Sequence, residues 1–361
     1  MVGRLKKVLE SWKKYAEFLL VVPTKRIPNG ERRYLSLSQT QACTHEEHSC
    51  MHKLMAMTKV AISQMGLIYG CLVEDVITGL SVQCKGWRSM YFIPERKGFL
   101  GLAPTTLLQT LVQHKRWSEG EFQILITRHS PFLLGHKRIP LKLQLSYCIY
   151  LLWATSWFAV LYYLVVPPLC LLRGISLFPQ LSSPWIQSFA YAIFANRAYG
   201  LVEFVWSGGT IQGWWNGQRI WVFKRTTSHL FGFFDAIRKL LGFSTSTFVI
   251  TAKVAEADVS ERYEEEKMEF GVSSPMFNIL ATLALLNMFG FVGGIKMLIM
   301  DVESKVLDLL ALQIILCGLL VLINLPIYQG LFFRKDSGRM PTSVTYKSII
   351  VSLLACSVAL Y

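Results

Sequence analysis

Two polar constellations, about forty residues apart, carry most of the chemistry legible in this chain. Glu74 and Asp75 stand where an apolar run, Leu67-Ile68-Tyr69, gives way to a helix-like pattern of Val76, Ile77, Leu80 and Val82 that Gly86 closes. Carboxylates at such a junction meet free backbone N–H groups and the positive end of the helix dipole. Gln113, Arg116 and Trp117 form the second set. They fall on a predicted helix that Thr105 or Thr106 can cap and that Leu107, Leu108, Leu111 and Val112 back. Spacings of three and four bring amide, guanidinium and ring to one face. Arg forks onto phosphate oxygens, Trp offers a flat surface to a pyranose, and Gln bonds hydroxyls. A carboxylate facing that assembly can take a proton from an acceptor hydroxyl as it attacks an anomeric carbon. Taken singly, Glu74-Asp75 reads as a helix-start charge pair and Arg116-Trp117 as a surface stack. Their joint occurrence points to a sugar nucleotide or a glycan.

Val73-Glu74-Asp75 resembles the T/V-E-D motif, and Gln113-His114-Lys115-Arg116-Trp117 the Q-x-x-R-W motif, of processive family-two glycosyltransferases. The surrounding text, VEDVITGLSVQCKGW and APTTLLQTLVQHKRWSEG, is similar to plant cellulose synthase-like proteins of subfamily G, and the resemblance runs from Gly66 to the C-terminus. It implies inverting transfer from a UDP-sugar, with Asp75 as general base and Glu74 as the next candidate. Gln113, Arg116 and Trp117 would bind the acceptor end and the diphosphate. Phe248–Lys253, FVITAK, resembles the F-x-V-T-x-K gating loop with Ile250 in place of Val, so Phe248, Thr251 and Lys253 would close the site. Two acceptors fit the resemblance: a growing β-glucan, or a triterpenoid receiving a glucuronosyl unit.

For the full-length family the resemblance also implies Mg²⁺ or Mn²⁺ held by an Asp-x-Asp motif. The six Asp of this chain (75, 235, 258, 301, 308 and 336) contain no such pair, and no metal site is assigned. The sequence thus resembles a C-terminal half that has the base but not the donor cradle. The rival expectation is an inactive truncated membrane protein that associates with full-length relatives. A transporter has little support, because the apolar segments show no internal repeat.

The elements that must position these residues follow from composition. The 361 residues are 52% hydrophobic with a mean hydropathy of +0.38, more apolar surface than a soluble protein of this size needs. The net charge of +14 lies in clusters beside apolar segments rather than in one stripe, which suits a lipid bilayer as partner and argues against nucleic acid. The eight cysteines are scattered, as buried free thiols are. Residues 1–60 are a basic N-terminal extension without a continuous core pattern or a signal peptide. The Cys43, His45, His48, Cys50 and His52 cluster within it fits no standard zinc spacing.

Residues 61–140 read as the C-terminal part of a cytosolic glycosyltransferase domain and 141–361 as a membrane domain. Five candidate spans are 146–172, 185–206, 276–300, 306–328 and 347–361, with an interfacial and gating loop at 207–275. Arg and Lys concentrate in 207–275 and 329–347, which puts those loops and residues 1–140 in the cytosol. The resemblance places the protein in the Golgi or endoplasmic reticulum membrane. The expected fold is therefore an α/β glycosyltransferase fragment followed by a multi-pass α-helical membrane domain.

Overall fold

A computed structural model describes residues 71–88, 104–243, 257–300 and 305–361. The chain divides into two compact units. Of the described residues, 71–88 and 120–153 belong to the first, and the remainder to the second. Every regular element among the described residues is helical. The helical part of the expected fold is therefore observed, whereas its α/β part has no strand among these residues. The FVITAK segment and the Cys43–His52 cluster lie outside them.

In the first unit α1 (Glu74–Cys84) buries Val76, Ile77, Leu80 and Val82, the stripe expected from their spacing. It ends at Gly86, whose φ of +86° is the left-handed turn that glycine adopts without strain. That turn lets the Gly86 and Trp87 N–H groups donate to the carbonyls of Gln83 and Val82. Helix α2 (Leu107–Ile126) contributes its last residues to this unit. At Gly120 it meets the turn before α1 so closely that a Cβ would lie 2.9 Å from Val73 Cγ2 and 3.1 Å from the Val73 nitrogen. The short α3 (Pro131–Leu134) starts on proline, whose missing N–H costs nothing at a first helical position. Helix α4 (Leu141–Leu151) follows Pro140, and the buried Gln144 side chain donates to the Ile139 carbonyl at 2.9 Å.

The second unit opens with the first turns of α2, capped by Thr106 Oγ1, which accepts the Gln109 N–H at 3.2 Å. Then come α5 (Trp157–Leu172), α6 (Trp185–Trp206), α7 (Ile211–Thr226), α8 (Ser228–Leu240), α9 (Ala257–Glu264), α10 (Pro275–Met300), α11 (Lys305–Ile323), α12 (Leu325–Tyr328) and α13 (Thr342–Leu360). Helix α10 is the centre, packed against α5, α11 and α13. Its buried Phe277, Leu280, Ala281 and Ala284 join Leu111, Phe223 and Phe270 in one core.

How α5 tolerates Pro167 and Pro168 is explained by its neighbours. Pro168 has no N–H to give the Leu164 carbonyl one turn earlier. Asn287 Nδ2 of α10 donates to that carbonyl at 3.0 Å instead. Gln313 Nε2 of α11 donates to the carbonyls of Pro167 and Ile175, both at 3.1 Å. Gly290 lets the backbones meet, since a Cβ there would sit 2.7 Å from Pro168 Cβ. Small residues at helix contacts and side-chain amides bonded to freed carbonyls are what apolar surroundings demand, where water cannot substitute.

Among the described residues three helical runs are long and apolar enough to cross a membrane: Leu141–Leu172, Pro275–Met300 and Thr342–Leu360. A fourth is the pair Leu307–Ile323 and Leu325–Phe333, bent by 56°. The break falls at Asn324-Leu325-Pro326, where proline cannot continue the ladder of N–H donors. Of the five expected spans, 185–206 departs. It forms α6, but it buries no residue and is not among the runs of membrane length and apolarity. Asn196, Arg197 and Glu203 dilute its apolar content, and Arg197 donates to Gln218 of α7 at 2.7 Å. Ile350, Leu354 and Val358 of α13 are exposed, an outer face suited to acyl chains rather than water.

Candidate functional site

In the first unit Glu74 and Asp75 occupy the first turn of α1, and both are exposed. Val73 gives that helix start no side-chain cap, so its N–H groups and dipole favour nearby negative charge. A carboxylate held there without being buried is open to an incoming hydroxyl. Behind it lies a second acid. Glu121 is 1% exposed, and one of its oxygens, Oε2, has no hydrogen-bond partner. Burial pushes its pKa up to about 8; the side-chain hydrogen bond with Tyr150 opposes the rise and the charge of Asp75 adds to it. Glu121 is therefore neutral at pH 7.

In the second unit Gln113, Arg116 and Trp117 lie on α2 and are half-buried. The His114 ring meets Trp117 edge-on, with centroids 4.8 Å apart. His114 Nε2 lies 3.4 Å from Lys224 Nζ. Burial first, then the charges of Lys224 and His229, hold His114 down at about 3, so its imidazole is uncharged at neutral pH. Lys115 pairs with Asp235 of α8 at 2.5 Å. Ser228 Oγ donates to the Leu111 carbonyl at 2.7 Å, and Ser118 Oγ to the Ser228 carbonyl at 3.3 Å. At Gly232 a Cβ would lie 2.9 Å from the Lys115 carbonyl oxygen. Helix α8 thus clamps the Q-x-x-R-W segment, which fixes the direction of its side chains. Beside the start of α2 a cleft of about 480 Å³ is lined by Thr105, Thr106, Thr110, Asn216, Glu264 and Glu266 among others, groups able to bond a polyhydroxylated ligand.

The structure groups Gln113, Arg116 and Trp117 on one helix and presents Glu74-Asp75 at another helix start, each within its own unit. Phe248, Thr251 and Lys253 lie outside the described residues. Three participants were not singled out from sequence: Glu121 as a neighbour of Asp75, the His114–Lys224 contact, and Asp235 as partner of Lys115. Only Glu121 gave a signal, being one helical turn beyond Trp117. As to the divalent ion implied by the family, no group of three or more His, Cys, Asp or Glu among the described residues could hold one. Glu121, protonated at neutral pH, is a poor ligand, so these residues do not fit Mg²⁺ or Mn²⁺.

Exposed carboxylates at one helix start, a Q-x-x-R-W helix clamped by α8 and helices of membrane length are each found among the described residues. Residues 37–360 match the family described as cellulose synthase, and the chain belongs to that family of glycosyltransferases. It is 49% identical over 293 residues, 81% of its length, to cellulose synthase-like protein E1 of Oryza sativa subsp. japonica. It is 48% identical over the same share to cellulose synthase-like protein E2 of that plant. Quillaic acid 3-O-glycosyltransferase CSL1 of Saponaria officinalis is 30% identical over 308 residues, 84% of this chain. The expected likeness to subfamily G gives way to these E-type relatives. The chain spans 40%, 39% and 42% of the three proteins' lengths, about two fifths.

Proposed function

We propose that this chain carries the base and acceptor side of a membrane-bound, UDP-sugar-dependent inverting glycosyltransferase acting on a β-glucan. Asp75 accepts the proton of the acceptor hydroxyl as that oxygen bonds to the anomeric carbon. The bond from that carbon to the diphosphate breaks, and UDP leaves with the electron pair. Arg116 pairs with the diphosphate, Gln113 bonds sugar hydroxyls and Trp117 stacks on a ring. Phe248, Thr251 and Lys253 close over the nucleotide. Basic residues favour the cytosolic side of a Golgi or endoplasmic reticulum membrane for 207–275 and 329–345, and residues 1–140 share that side, with α6 as a further, more polar crossing whose Arg197 is satisfied by Gln218 of α7. The observation that carries the reading is the match of residues 37–360 to the cellulose synthase family, which includes the V-E-D and Q-x-x-R-W segments.

The test is transfer of label from radiolabelled UDP-sugar by the purified chain in lipid, joined to the donor-binding part of a cellulose synthase-like relative, with and without added Mg²⁺. Incorporation into glycan that Asp75→Asn removes supports the reading. No incorporation above the Asp75→Asn background overturns it for this chain. The likeness to quillaic acid 3-O-glycosyltransferase favours a triterpenoid acceptor as the second reading, which the same assay separates once a triterpenoid acid replaces the glucan.

A further inference from the structure

Gly120 and Glu121 are consecutive, and the close approach at the first sets the position of the second. With no side chain at Gly120, α2 rests against Leu72 and Val73, the two residues that lead into Glu74-Asp75. Glu121 is thereby buried within reach of the charge at the start of α1. Its carboxyl has two calls on it from neighbouring elements. Tyr150 of α4 forms a side-chain hydrogen bond with it, and Asp75 of α1 acts on it through its charge. The remaining oxygen, Oε2, meets no partner. A buried acid that keeps its proton must point that proton somewhere, and an O–H···O⁻ bond to a carboxylate is the strong option. Asp75, exposed and in the first turn, is free to rotate toward it.

We propose that Glu121 is a positioning residue for Asp75: a neutral carboxylic acid whose Oε2–H donates to one Asp75 oxygen and leaves the other facing the acceptor hydroxyl. The proton stays on Glu121 throughout. The inference rests on Asp75 being the general base of the proposed transfer. Near pH 8 burial no longer keeps Glu121 protonated. Its ionisation removes the donor and sets two like charges side by side, so Asp75 is released and repelled. The device therefore gives the transfer an alkaline limb that Asp75 alone would not have.

The test has two readouts. In the full chain in lipid nanodiscs, infrared difference spectra should show a protonated carboxyl C=O band that disappears with a midpoint near pH 8. Glu121→Gln should remove it. Asp75→Asn should lower its midpoint by roughly half a pH unit, because a neighbouring negative charge is gone. A midpoint unmoved by Asp75→Asn, or no such band, overturns the pairing whether or not the chain transfers sugar. In the transfer assay Glu121→Gln, which keeps a neutral donor at every pH, should hold its rate from pH 7 to pH 9.5 where the parent falls. Glu121→Leu, with no donor at any pH, should be at least about tenfold slower than the parent at pH 7, the loss expected of one hydrogen bond to a charged group, and should show no fall above pH 8. A Glu121→Gln profile that still falls above pH 8 overturns the positioning role. Complete absence of transfer instead counts against the proposed function and leaves the infrared titration to decide this one.

Discussion

Replacing Asn287 by Leu is expected to destabilise the membrane helices, and to do so only while Pro168 is present. Asn287 is fully buried and donates to the Leu164 carbonyl at 3.0 Å and to the Leu283 carbonyl at 2.7 Å. The Leu283 carbonyl has its own helix to return to. The Leu164 carbonyl does not, because residue 168 is proline and lacks the N–H that would reach it. Leu at 287 leaves that carbonyl buried and unpaired, a loss of about 1–3 kcal/mol in protein interiors. Side-chain hydrogen bonds within membranes measure lower, averaging about 0.6 kcal/mol with a maximum near 1.7. Asn287 Oδ1 has no partner of its own, so removing the amide returns part of the loss. A net cost of about 1 kcal/mol follows. In a Pro168→Ala background the new N–H should satisfy Leu164, and Asn287→Leu should then cost close to nothing. Reversible unfolding of the four chains in mixed micelles gives the cycle. A coupling of about 1 kcal/mol supports the pairing, while additivity within about 0.3 kcal/mol refutes it.

Gly290→Val should cost more than Asn287→Leu, because a Cβ at 290 already falls 2.7 Å from Pro168 Cβ, and overpacking costs about 1–3 kcal/mol; an unchanged unfolding midpoint would contradict the close approach. For His114 the folded pKa near 3 lies below the ordinary 6.5, so its contribution to stability is present above pH 6.5 and is lost as pH falls toward 3; His114→Gln should flatten the stability profile in that window, read by thermal unfolding in detergent. A protease-cleavable tag inserted after Lys335 should be cut from the cytosolic side of sealed microsomes, and protection there would invert the proposed orientation.

Local signals made much of α1 and α2 legible. Thr106 caps α2, Gly86 ends α1, and the apolar spacings of both helices set which residues are buried. Three of five expected spans appear as single runs because unbroken apolar length is itself the signal. The fourth bends at a proline visible in sequence, though the angle depends on packing. Helix α6 is where apolar counting is weakest: long and aromatic-rich, it is more polar than the membrane runs and buries nothing. The pairing of Asn287 with Leu164 could not be read, since it joins residues far apart in the chain through α5 and α10 packing. Glu121 was not legible as a neighbour of Asp75, because burial, not residue type, makes it unusual.

The central claim is that Asp75 is the base, and Asp75→Asn tests it most directly. The chain would be joined to the donor-binding part of a cellulose synthase-like relative, and both sugar transfer and UDP-sugar binding measured. Asn keeps the shape and some hydrogen bonds but cannot accept the proton of the acceptor. Transfer should fall by ~10²–10⁴-fold, the usual contribution of general-base assistance, with UDP-sugar affinity nearly unchanged. An Asp75→Asn protein retaining more than about a tenth of the parent rate would contradict the assignment and move it to Glu74.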